Sequence, residues 1–368
     1  MKIHVAFSGL GAGNIGEESM MQGFLSIYPL PDGSTIEVFN KDEPVLRQFP
    51  AGLRFVTFAD EMACYRAYEE ADVVLIVGGT IITEMHGQEY PLKILGRRYK
   101  RYQRVHAVGI GADHINFQWG RQLFTDGYMH IKSWTLRSTR SRNSIVDLGV
   151  AHEHTLVAAD LAWLVPLEGV DRDWAQSYWQ QMGWKRGNPL IGINMVNERW
   201  HDNVSVKTQF AQALDDLVQT EAMQIAFLCN EVRDELPYDK AAAHSVASLM
   251  RSRPIIVPNT YFTPQQMVAL LSFCDVTVSW RYHFTLLSFL AGTYPLSVIR
   301  GGKLQELTDD IGTINLGIPE SITGQSLANS IRQAMDRTEL SRTKQAAIID
   351  IMRHRSRFNN FFIKELGC

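Results

Sequence analysis

Arg281 and His283 stand two residues apart in Ser279-Trp280-Arg281-Tyr282-His283-Phe284-Thr285. An apolar run, Val276-Thr277-Val278-Ser279, precedes them, and an apolar stretch from Leu286 to Ala291 follows. A guanidinium and an imidazole at such a turn can grip a phosphate or carboxylate while one of them supplies or removes a proton. With flanks this apolar, an ordinary surface pair explains them poorly. Two further cations have comparable positions: Lys303 follows Gly301-Gly302 after another predicted strand, and Arg199, in Asn197-Glu198-Arg199-Trp200, stands just past the run Leu190–Asn194.

The first half of the chain offers looser candidates. Gly9-Leu10-Gly11-Ala12-Gly13-Asn14-Ile15-Gly16-Glu17-Glu18 follows the first predicted strand and leads into a helical run from Ser19, so Gly13 and Asn14 could bring an anion to helix N-terminal amides. A tight strand-to-helix turn explains the glycines equally well, and neither dinucleotide spacing nor a P-loop Gly-Lys-Ser/Thr is present. Gly78-Gly79 ends the third predicted strand, clearing space for a ligand, and Glu84 could orient or deprotonate a sugar hydroxyl there or be a solvated loop carboxylate. His114 closes Gly109-Ile110-Gly111-Ala112-Asp113-His114, where a packed histidine is the commoner case. Arg137 begins a helix with Ser138, Ser141 and Ser144; anion binding and helix capping fit these residues equally. Asp160, in an apolar neighbourhood, requires partners. The histidines are dispersed, and Glu84 with His86 lacks a third ligand at recognisable spacing, so no metal site is expected.

These residues need a scaffold that gathers strand ends. Short apolar runs alternate with helical stretches, the pattern of an α/β protein with parallel sheets, and the pattern occurs twice. Strands are predicted at Ile3–Phe7, Thr35–Phe39, Val73–Val77, Val105–Gly109 and Ser133–Leu136, then at Leu190–Asn194, Gln224–Cys229, Pro254–Val257, Val276–Ser279 and Tyr294–Ile299. Thr263–Cys274 is the clearest helix. The expected organisation is a domain over 1–165, a linker over 166–189 carrying Trp174, Trp179 and Trp184, a second domain over 190–325, and a helical segment over 326–368 that packs Phe358, Phe361 and Phe362 onto the body. Trp119, Trp134, Trp200 and Trp280 are candidates for stacking on sugar rings.

Composition sets bounds. The 368 residues are 45% hydrophobic and 20% charged, as in an ordinary folded protein large enough for two domains. Thirty-six basic against 39 acidic residues give a net charge of −3, so no global field draws nucleic acid or an anionic bilayer, and any anionic ligand must be held locally. Cys64, Cys229, Cys274 and Cys368 form no CxxC pair, which fits reduced thiols in the cytoplasm. Met1 to Phe7 reads as a strand rather than a signal segment, and no run reaches transmembrane length.

In order and approximate spacing, several segments resemble the polysaccharide pyruvyltransferase family. They are Gly13-Asn14-Ile15-Gly16-Glu17-Glu18, Asp72 to Gly79, Leu136-Arg137 with Ser141 and Leu148-Gly149-Val150, Ala159-Asp160-Leu161-Ala162, and Ser279 to His283 continuing to Lys303. The sequence departs from the family pattern at Ser8 to Gly13 and at Gly78-Gly79-Thr80, where a third glycine is common. The resemblance implies two Rossmann-like domains in a glycosyltransferase-B-like arrangement with the active site in the interdomain cleft, the first domain on the acceptor side and the second on the donor side. It implies transfer of the pyruvyl group of phosphoenolpyruvate to two hydroxyls of a sugar as a ketal, with no cofactor. The acceptor would be a sugar or a lipid-linked glycan, which would bring the protein near a membrane. Carried over by residue, His283 would transfer the proton, Arg281, Arg199 and Lys303 would bind the donor, and Glu84 would assist the hydroxyls. The competing readings are a nucleotide-sugar glycosyltransferase of the same type and a non-catalytic sugar-binding relative.

Overall fold

Runs such as Val73-Val74-Leu75-Ile76-Val77 are buried along their whole length, as strands of a parallel sheet covered on both faces must be. The computed structural model describes residues 1–6, 9–41, 43–84, 105–129, 131–196, 204–232, 238–258, 260–337 and 339–364. Within these, the chain divides into two compact units, one comprising Met1–Ala12, Glu17–Pro166 and Ile351–Cys368, the other Gly13–Gly16 and Leu167–Asp350.

The first unit holds β1 (Ile3–Ala6), β2 (Thr35–Val38), β3 (Arg54–Thr57), β4 (Val73–Val77), β5 (Thr80–Ile82), β6 (Val105–Ala112), β7 (Ser133–Leu136) and β8 (Thr155–Val157). Their order is β3-β2-β1-β4-β6-β7-β8, with β5 beside the far half of β6. The second unit holds β9 (Leu190–Asn194), β10 (Gln224–Phe227), β11 (Ile255–Ile256), β12 (Val276–Ser279), β13 (Tyr294–Ser297) and β14 (Ile314–Asn315), in the order β11-β10-β9-β12-β13-β14. The pairings are parallel in both sheets. In each, the chain first steps to one side of its opening strand and then returns to the other, the Rossmann order, with switch points between β1 and β4 and between β9 and β12.

The sequence pattern missed four strands: β3, β5, β8 and β14. Three of them are sheet edges, where one neighbour is absent and the apolar run is correspondingly weak: Arg54 in β3 is exposed and Phe55 to Thr57 are only half-buried. The helix expected at Thr263–Cys274 spans Pro264–Leu271, and Thr263 caps it reciprocally with Gln266.

Other expectations change. Residues 166–189 contain the helix Arg172–Gln181, whose Ala175 and Trp179 are buried in the second unit; the Trp179 indole N–H donates to the Leu270 carbonyl at 3.0 Å. Trp134 packs with Phe124 and Tyr128 in the first core, and Trp280 meets Phe210 edge-on at 5.8 Å in the second. Both tryptophans are core residues, closed to a sugar. Trp200 and Arg199 lie outside the described residues. In the final helix the packing face is Met352, Ser356, Asn359 and Ile363, while Phe358 and Phe361 remain exposed.

Candidate active site

Ligands of open parallel sheets gather beyond strand carboxyl ends at the switch point, which in the second unit is the gap between β9 and β12. Asn194 ends β9 and Ser279 ends β12, the two paired in register. After β12 the chain turns sharply: the Ser279 hydroxyl donates to the Arg281 carbonyl at 2.9 Å and accepts from the Arg281 amide at 3.1 Å. Arg281 then stands at the N-cap position of the helix Tyr282–Leu290 without a side-chain capping bond; the helix residues from Phe284 onward are buried, explaining its lack of a polar face. This turn orients both Arg281 and His283.

The Arg281 guanidinium is held by two carboxylates. Its Nε and Nη2 donate to Asp239 Oδ1 at 3.2 and 2.7 Å, and Nη2 also lies 2.7 Å from Glu231 Oε2. Burial works against its charge, but Asp239 and Glu231 outweigh that and raise the pKa above the ordinary arginine value. Asp239 is buried near the start of the helix Tyr238–Ala247, and its other oxygen accepts from Asn194 Nδ2 at 3.0 Å and from the amides of Asn230 and Glu231 at 2.8 and 3.2 Å. One aspartate thus ties the ends of β9, β10 and β12 together. Arg281 keeps its Nη1 donors outside this network, with the side chain 20% exposed.

The trio carries two negative formal charges against one positive. An anionic ligand at this edge therefore needs more cations than Arg281. Arg300 and Lys303, just past β13, bring two: Arg300 is partly buried, which pulls its pKa down to about 10 and still leaves it cationic at neutral pH, and Lys303 is exposed in the first turn of the helix Gly302–Ile311. Cys229 lies on the same edge, but burial and then the Asp239 charge push its thiol up to about 12, so it is no ready nucleophile.

His283 is seated against the glycine loop. A Cβ at Gly16 would overlap the imidazole ring, so only glycine permits this packing, and Tyr282 meets the ring edge-on at 5.1 Å. The loop residues Gly13 to Gly16 are fixed by the segment after β10. The Val232 amide donates to the Gly13 carbonyl at 2.7 Å, the Ile15 amide to the Asn230 carbonyl at 3.2 Å, and Asn14 Oδ1 accepts from the Gly16 amide and Asn230 Nδ2 at 3.1 and 3.2 Å. The amides of Ile15 and Gly16 are engaged within the protein, so the loop positions His283 instead of cradling an anion on those two groups.

In the first unit the candidate residues do not form a comparable set. Arg137, its side chain 5% exposed, donates to Thr80 Oγ1 at 2.6 Å and to Asp160 Oδ2 at 3.3 Å; a Cβ at Gly111 would press on its guanidinium. It is a buried strut, and Asp160, which also accepts from the Ala162 amide, is its partner. Ser138 caps the helix Thr139–Asp147, and Ser141 Oγ accepts from the Ala112 amide. Glu84 accepts from the amides of Asn116 and Phe117 at 2.9 and 2.7 Å, filling the vacant donors at the start of the helix Gln118–Tyr128. Such a carboxylate is a helix cap, poorly placed to be a base. His114 is exposed on the loop before that helix.

Gly78 and Gly79 end β4 with φ of +68° and +75°, two successive left-handed residues that only glycine supplies cheaply. Near Gly79 lies a carboxylate: Glu17 Oε2 would be 4.0 Å from a Cβ on Gly79 and 2.7 Å from one on Gly9. Glu17 thus occupies the first sheet's switch point. Sequence reasoning assigned no role to Glu17, Glu231 or Arg300, although Glu231 and Arg300 follow a strand's carboxyl end closely enough to be found by that rule; Glu17, inside the helix Ile15–Ile27, does not. Asp239 carries no such local signal.

Solved structures share this fold over nearly their whole length. Anabaena HepE in complex with UDP and glucose is 14% identical, covering 100% of this chain and 99% of that one, with a TM-score of 0.61. A glycosyltransferase from Rickettsia africae is 10% identical, with 99% and 96% covered and a TM-score of 0.63. The UDP-GlcNAc 2-epimerase from Neisseria meningitidis bound to UDP-GlcNAc is 13% identical, with 96% and 99% covered and a TM-score of 0.61. The class is therefore the two-domain α/β fold of such glycosyltransferases and epimerases. No curated protein matches the sequence significantly. The polysaccharide pyruvyl transferase family model matches residues 21–300, and the chain belongs to that family. The matched stretch includes Arg281 and His283; Gly13–Glu18 and Lys303 fall just outside it.

Proposed function

We propose that this transferase moves the pyruvyl group of phosphoenolpyruvate onto two hydroxyls of a sugar in a polysaccharide or lipid-linked glycan precursor. The observation that carries the reading is the β9/β12 edge, where Arg281 is locked by Asp239 and Glu231 and His283 is seated on Gly16. A proton delivered to the methylene carbon of phosphoenolpyruvate makes C2 electrophilic. One sugar hydroxyl adds to C2 and loses its proton, phosphate leaves, and the second hydroxyl closes the ketal. We assign the proton delivery to His283 and the grip on phosphate and carboxylate to Arg281 Nη1, Arg300 and Lys303, with Arg199 as a further donor contact. The hydroxyl protons pass to a carboxylate, a role for which the amides that hold Glu84 leave that residue poorly suited.

The test is phosphate release from phosphoenolpyruvate with a sugar acceptor. His283→Ala should lose on the order of 10²- to 10⁴-fold in kcat, the range of general acid catalysis. Near-normal turnover would remove His283 from the mechanism.

A second reading has one specific support, the nucleotide and nucleotide sugar bound by HepE and the Neisseria epimerase. In it, the same cations would hold a diphosphate. Thermal shifts with phosphoenolpyruvate and with a panel of nucleotide sugars distinguish the two, since a ligand stabilises only a protein that binds it.

A further inference from the structure

Residues 351–364 read Ile-Met-Arg-His-Arg-Ser-Arg-Phe-Asn-Asn-Phe-Phe-Ile-Lys. They contain Arg353, Arg355, Arg357 and Lys364 and no acidic residue, between Asp350 and Glu365, in a chain whose net charge is −3. Among the described residues no carboxylate pairs with any of these four cations.

One face of this segment is fastened to the first unit. Ser356 Oγ donates to the Asp160 carbonyl at 2.8 Å, Asn359 Nδ2 to the Ala159 carbonyl at 2.8 Å, and Arg353 to the carbonyls of Trp163 and Val165 at 3.0 and 3.1 Å. Met352 and Ile363 are buried beside them. The opposite face holds Ile351, Phe358 and Phe361, which are 57%, 42% and 52% exposed, together with exposed His354, Arg357 and Lys364. Spacings of three and four residues put these six on one side. The bonds on the other side hold the phenylalanines outward.

We propose that this face docks on an anionic lipid bilayer, with the two phenylalanines and Ile351 entering the headgroup boundary and Arg357, Lys364 and His354 meeting lipid phosphates. A bilayer offers an apolar layer beneath an anionic one, which is the combination this face presents. A second copy of the chain would set these cations against one another. No helix among the described residues is long and apolar enough to cross a membrane, so the contact is peripheral and reversible. It is independent of the pyruvyl-transfer reading.

The experiment is co-sedimentation of the full chain with vesicles of phosphatidylcholine alone and of phosphatidylcholine mixed with phosphatidylglycerol. The expected result is binding to the mixed vesicles only, released by salt. Arg357→Gln should weaken it about fivefold, the effect of one interfacial cation, and the double variant Phe358→Ser/Phe361→Ser at least as much. All these side chains are exposed, so melting temperatures should match the parent's. The proposal is overturned by absent binding, by equal binding to neutral vesicles, or by variants that bind like the parent. Self-association of the parent in sedimentation velocity, abolished by the double variant, would make a second copy the occupant and overturn it as well.

Discussion

The two sheets share one strand order, yet their carboxyl edges are employed differently. At the first edge the arginine is consumed by the fold: Arg137 braces Thr80 and Asp160 and is nearly closed to solvent. At the second, Arg281 is bound as tightly by Asp239 and Glu231 but keeps Nη1 outside the network, beside an imidazole and one strand from two more cations. Residue type does not separate the two edges. What separates them is which donors remain after the structural hydrogen bonds have been made.

Substitutions can break or sharpen this contrast. Asp239→Ala should have the largest effect, because it leaves Arg281 and Asn194 without their shared partner: about 5 kcal/mol of stability in urea unfolding, with transferase activity abolished. Arg137→Ala, which strands the buried Asp160, should cost about 3 kcal/mol by the same measurement. Here, however, kcat per folded molecule should be unchanged; a kcat loss as deep as that of Asp239→Ala would erase the distinction between the edges. Gly16→Ala should cost about 1–3 kcal/mol through overpacking against His283. Its kcat should fall while KM for the donor holds, if the displaced group is the proton donor we propose. Glu84→Ala should be mildest, about 1 kcal/mol for a lost helix cap, with kinetics intact. A large kcat defect in Glu84→Ala would restore it to the mechanism.

Much of the architecture was legible because central strands of a parallel sheet must be apolar over several consecutive residues. Val73–Val77, Ser133–Leu136, Leu190–Asn194 and Val276–Ser279 have the same limits in sequence and structure. Edge strands escaped because half their surface needs no burial. The helix at Arg172–Gln181 was read as a linker because its tryptophans and polar residues resemble a surface segment until Trp179 finds the Leu270 carbonyl. The glycine loop showed that a turn was required, but not that the Ile15 amide and the Asn14 side chain would bond to Asn230, more than two hundred positions away.

By itself the sequence determined the α/β class, the doubled strand-helix pattern and the placing of Arg281 and His283 beyond a buried strand, since these follow from local hydrophobic periodicity and from which residues border it. Tertiary structure alone decided which charges are spent. Glu84 and Arg137 became a cap and a strut, Asp239 and Glu231 became the clamp on Arg281, and Gly16 became the seat of His283. The physical reason is that a polar group's availability depends on partners brought together by folding from distant positions, and no local pattern along the chain records them.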